Sequence, residues 1–73
     1  MCGIVGFLGP SAIPAVLDGL RALEYRGYDS AGAAFLADAG LAVIRTPGRV
    51  DDLAARLADP PLASTAIGHT RWA

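Results

Sequence analysis

Apolar residues recur along this chain in two rhythms, and the switches between them mark out six elements. Cys2–Leu8 is a nearly continuous apolar run ended by Gly9-Pro10, and it reads as a buried strand. Ile13, Val16, Leu17, Leu20 and Leu23 then return at spacings of three and four, which puts an apolar stripe on one face of a helix. Ser11 is the expected cap, Pro14 fits the first turn, where amides lack intrahelical acceptors, and Gly27 is the expected stop. Gly19 costs about 1 kcal/mol relative to Ala inside such a helix, but it permits close packing. Ala31–Ala37 and Leu41–Thr46 form two further apolar runs. The Asp38-Ala39-Gly40 loop between them suits a hairpin whose last position needs positive φ. Val50, Leu53, Ala54 and Leu57 predict a second, shorter helix behind Asp51 or a neighbour, stopped by Pro60-Pro61. Thr65–Trp72 completes the pattern as another strand. The order β-α-β-β-α-β mixes hairpin and crossover connections, which predicts an α+β fold.

Composition narrows the classes. The chain has 73 residues, 53% of them hydrophobic, enough for one small domain or part of a larger one. Its uncharged stretches are too short or too interrupted by Gly, Pro and Ser to span a membrane, and no cationic leader precedes them. A single cysteine cannot form an internal disulfide, which suits a reducing cytoplasm. The net charge of −1 leaves no electrostatic footprint for nucleic acid. One Cys and one His at distant positions make no zinc site, and no cofactor motif is present. The polar-aromatic segment His69-Thr70-Arg71-Trp72 falls one residue before the end of the chain, so the chain is expected to be part of a larger domain.

The chemistry concentrates at Cys2. Cysteine at the second position allows removal of Met1, which leaves a residue carrying a thiol and a free α-amino group. A thiol ordinarily titrates at about 8.5 and an α-amino group at about 7.7–8.0, so near neutrality the amine is a base within reach of the sulfur. One residue could supply nucleophile and base together. The alternative is a small hydrophobe buried in the first strand.

Three patches then stand in order: Cys2-Gly3-Ile4-Val5-Gly6, Glu24-Tyr25-Arg26-Gly27-Tyr28-Asp29-Ser30-Ala31-Gly32, and Gly68-His69-Thr70-Arg71-Trp72-Ala73. Together they resemble the glutaminase domain of the glutamine–fructose-6-phosphate aminotransferase family, a class II glutamine amidotransferase. The resemblance covers the whole chain. It implies the first portion of a four-layer αββα N-terminal-nucleophile hydrolase fold. In that family Cys2 attacks the carboxamide of glutamine, releases ammonia and leaves a γ-glutamyl thioester. Arg71 matches the arginine that holds the glutamine α-carboxylate, Trp72 matches the tryptophan over the glutamine pocket, and Arg26-Gly27 match a loop that shapes the site. The oxyanion pair and the residue for the α-amino group fall beyond residue 73, so residues 1–73 alone are expected to be inactive. The sugar-isomerase domains that bind fructose 6-phosphate are expected downstream, in a homodimeric full-length enzyme. His69 reads as a packed residue, because the terminal amine already serves as base. Two alternatives stay open: another class II enzyme such as an amidophosphoribosyltransferase, and an inactive truncated interaction module with Cys2 buried.

Overall fold

The computed structural model describes residues 2–24, 29–37, 40–58 and 63–71. Six elements follow in the expected order: β1 (Gly3–Leu8), α1 (Ala12–Ala22), β2 (Ser30–Ala37), β3 (Gly40–Pro47), α2 (Val50–Arg56) and β4 (Thr65–Arg71). The strands form one sheet in the order β1-β4-β2-β3, with every neighbouring pair antiparallel. The last strand therefore inserts between the first strand and the hairpin. The α+β expectation holds.

Alternation divides the sheet into two unlike faces. Small and apolar positions face the helices: Gly3 and Val5 on β1, Ala66, Gly68 and Thr70 on β4, Ala31, Ala33 and Phe35 on β2, Ala42 and Ile44 on β3. α1 lies across β1 and β4, and α2 lies across β2 and β3. Ile13, Val16 and Leu20 of α1 and Val50 and Leu53 of α2 are fully buried between the layers. Burying each such side chain contributes about 1.5–3 kcal/mol.

Glycines let α1 approach the sheet closely. A Cβ on Gly68 would stand 2.5 Å from Val16 Cγ1 and 2.9 Å from Leu20 Cδ1, and one on Gly19 would stand 2.7 Å from Val5 Cγ1. Helix and sheet thus meet at glycines from both sides. The close packing expected at Gly19 is present.

The opposite face is uncovered. Ile4, Leu8, Leu36, Leu41, Val43 and Ile67 point out from it, and each is more than half exposed. No described helix is long and apolar enough to cross a membrane.

The element ends differ in detail from expectation. Ser11 occupies the N-cap position of α1 in a left-handed conformation (φ 60°, ψ 43°) and makes no side-chain cap bond. The backbone of another segment does that work. The Ala12 amide donates to the Ala63 carbonyl at 3.1 Å, and the Gly9 amide donates to the Ser64 carbonyl at 2.8 Å. The stretch entering β4 lies against the β1–α1 turn, so backbone acceptors replace the hydroxyl. α1 ends at Ala22 with Leu23 as its C-cap, well before Gly27, which lies outside the described residues. α2 opens at Arg49, where the Asp52 carboxylate accepts from the Arg49 amide at 3.0 Å. The Pro60-Pro61 stop is also outside the described residues. The hairpin closes on the pair Ala37↔Gly40, and Gly40 has the expected positive φ of 122°.

Candidate functional site

One end of the uncovered face gathers the polar chemistry. β1 begins there, β2 begins there, and β3 and β4 end there. Alternation puts Arg71 and His69 of β4, Ser30 of β2 and Arg45 of β3 on this face, in the register Ser30↔Arg71, Gly32↔His69 and Gly32↔Arg45. Cys2 is a free, exposed cysteine directly before β1. Carrying the pairs Ile4↔His69 and Gly3↔Thr70 one residue further puts Cys2 abreast of Arg71. Directly opposed residues of antiparallel strands have Cα atoms about 4.5–5.5 Å apart. Cys2 therefore lies at the strand end where β4 closes on Arg71.

On the other side of Arg71 a cleft of about 210 Å³ opens, lined by Ser30, Arg45, Pro47, His69 and Arg71 among others. No acidic side chain is among its described lining residues, so two guanidinium groups bias it toward an anion. Cys2 does not line the cleft. It borders the outer side of the same strand end.

Two features hold this end together. The Asp29 amide donates to the Arg71 carbonyl at 2.8 Å, and the Gly48 amide donates to the Asp29 carbonyl at 3.0 Å. The chain entering β2 is thereby tied to the end of β4 and to the turn after β3. Glycine opens the floor of the cleft. A Cβ on Gly32 would stand 2.6 Å from His69 Nε2 and 3.0 Å from Arg45 Cγ, so both side chains lie over the bare backbone of β2. Arg45 is held from behind, where Arg56 Nη1 donates to its carbonyl at 2.6 Å.

Of the residues singled out by sequence, the structure brings Cys2 and Arg71 to one end of one face. Arg26, Gly27 and Trp72 lie outside the described residues. The reading of Cys2 as a buried hydrophobe is overturned by its exposure. His69 is half-buried and packed on Gly32, in keeping with a packed residue, but it also lines the cleft. Sequence reasoning missed Ser30 and Arg45 as lining residues. Ser30 stood inside a marked patch, whereas Arg45 carried no local signal, since only strand pairing brings it near Arg71.

The chain is thus an α+β unit with helices on one face of its sheet and a free, exposed cysteine at one sheet end. No protein-family model matches the chain. It is 58% identical, over its whole length, to a glutamine–fructose-6-phosphate aminotransferase (isomerizing) of Streptomyces coelicolor. Enzymes of the same name from Chlamydia caviae and Thermus thermophilus are 56% and 52% identical, again over the whole chain. The chain spans 12% of the length of each of these relatives. It is therefore a homologue of the N-terminal segment of the isomerizing glutamine–fructose-6-phosphate aminotransferases.

Proposed function

We propose that residues 1–73 are the opening portion of a glutaminase domain that releases ammonia from glutamine for the synthesis of glucosamine 6-phosphate. The observation that carries this reading is an exposed Cys2 directly before β1, at the end of the sheet where Arg71 of β4 lines a cleft with no acidic lining residue among those described. A glutamine molecule carries its carboxamide and its α-carboxylate at opposite ends of a short chain. Strand spacing of about 5 Å suits both ends being held at once, the carboxamide at the thiol and the carboxylate at the guanidinium.

In this mechanism the Cys2 thiol, once Met1 is removed, gives its proton to the neighbouring α-amino group. The sulfur then attacks the carboxamide carbon. The resulting α-ammonium returns the proton to the leaving nitrogen, the C–N bond breaks, and ammonia departs. A γ-glutamyl thioester remains on Cys2. The same amine takes a proton from water as it attacks the thioester, so the C–S bond breaks and glutamate is released. Arg71 orients the substrate through its α-carboxylate. By the family resemblance, Trp72 and Arg26 with Gly27 are assigned to the glutamine pocket. The ammonia is consumed at a downstream sugar-binding domain that takes fructose 6-phosphate, in a homodimeric cytoplasmic enzyme. The uncovered apolar face supports a four-layer αββα fold, in which a second sheet from the remainder of the domain packs against it.

The test is Cys2→Ala in the full-length protein. Glutamine hydrolysis and glutamine-dependent synthesis are expected to vanish, while any ammonia-dependent synthesis survives. Substantial hydrolysis by the variant would overturn the reading.

A further inference from the structure

We propose that Arg45 is a second cation of the glutamine site, drawing the substrate α-carboxylate into the cleft from the wall opposite Arg71. The inference rests on the glutaminase reading, in which Arg71 holds that carboxylate. Arg45 lies on β3 and Arg71 on β4, with β2 between them, and both line the same cleft of about 210 Å³. Neighbouring strands stand about 4.8 Å apart, so the two backbones are separated by about 10 Å across the sheet. The Arg45 stem closes part of that gap. Its Cγ lies 3.0 Å from the point where a Gly32 Cβ would stand, and His69 Nε2 lies 2.6 Å from the same point. Arg45 therefore leans inward over β2, while the His69 ring reaches over β2 from the other side. Glycine at position 32 leaves that path open.

The ion pairs among the described residues all lie away from the cleft. Arg21 pairs with Asp18 and Asp51, and Arg49 pairs with Glu24. Neither Arg45 nor Arg71 enters an ion pair among the described residues, and no described lining residue of the cleft is acidic. Two like charges on one cleft repel each other, and an anion between them relieves that repulsion. The placement also gives the substrate a direction. Cys2 precedes β1, on the edge of the sheet opposite β3. Attraction toward Arg45 therefore draws the carboxylate away from the thiol and leaves the neutral carboxamide as the end that faces Cys2.

The experiment compares the full-length wild-type enzyme with Arg45→Gln and Arg45→Lys, measuring glutamine hydrolysis, inhibition by glutamate and the denaturation midpoint. Glutamate carries the same α-carboxylate, so it probes binding without reaction. For Arg45→Gln the expected result is a rise of about 10-fold in both the glutamine KM and the glutamate inhibition constant, with kcat within about twofold of wild type. That is the low end for a hydrogen bond to a charged group, because Arg45 is exposed. Arg45→Lys keeps the positive charge and is expected to recover most of the loss. Added salt should weaken glutamine binding more steeply in wild type than in Arg45→Gln. Unchanged constants in Arg45→Gln overturn the proposal; a lowered denaturation midpoint beside them would make Arg45 the partner of a carboxylate from the remainder of the protein. A variant that fails to fold, or an Arg45→Lys enzyme as impaired as Arg45→Gln, overturns it too. Failure of the glutaminase reading is separate and shows itself as hydrolysis by Cys2→Ala.

Discussion

At the scale of the residue, the proposed mechanism depends on two side chains whose chemistry differs in kind. In that mechanism Cys2 works through its terminal position, because only there is an α-amine available beside the sulfur. Acetylating the mature N-terminus should thus be as damaging as Cys2→Ala, since it removes the base and leaves the thiol; an assay of glutamine hydrolysis on the acetylated protein checks this. Arg71 works through shape. Its planar fork meets a carboxylate with two hydrogen bonds, whereas lysine keeps the charge and loses the geometry. A charge-assisted bond of this kind contributes about 1.5–3 kcal/mol. Arg71→Lys should accordingly raise the apparent glutamine constant by roughly 10- to 150-fold. An unchanged constant would make Arg71 a structural ion-pair partner.

At the scale of the element, α1 is positioned by what the sheet lacks. Gly68 lies under Val16 and Leu20, both buried and both packed from above by the helix body. A methyl at position 68 cannot be accommodated by swinging a free side-chain end into solvent, so the helix must rise. Overpacking of this kind costs about 1–3 kcal/mol, and Gly68→Ala should lower the denaturation midpoint of the full-length protein accordingly. Gly32 presents the opposite case. The atoms above it are the tip of His69 and the stem of the exposed Arg45. Both can swing outward, so Gly32→Ala should leave stability within about 1 kcal/mol of wild type while altering the cleft. Paired denaturation curves and glutamine titrations distinguish the two effects.

At the scale of the whole molecule, the uncovered face decides behaviour. Six large apolar side chains more than half exposed on one sheet face are a docking surface or an aggregation hazard. Both sheet edges, β1 and β3, also present unpaired backbone groups among the described strands. A single core of this size seldom supplies more than about 3–5 kcal/mol. Residues 1–73 expressed alone should therefore aggregate or remain loosely packed and should not hydrolyse glutamine. A sharp cooperative melt of a dilute monomer with well-dispersed amide resonances would show instead that they form a domain by themselves.

The order and type of all six elements were legible in the sequence, because each is written in local periodicity: threes and fours in Ile13–Val16–Leu17–Leu20, compact apolar runs bounded by Gly and Pro in the strands. Cys2 drew notice through its place behind Met1, and Arg71 through the family resemblance; their roles stand as proposals. What lay beyond reach was pairing. Nothing local states that β4 inserts between β1 and β2, yet that insertion alone brings Arg71 to the sheet end where Cys2 precedes β1 and sets Ser30 and Arg45 around the same cleft. The failed Ser11 cap has the same origin, because the acceptors that replaced it come from residues 63 and 64, some fifty positions away. Local sequence determined which elements form. Long-range strand pairing decided which of them meet, since hydrogen-bond register couples residues that no sequence window contains.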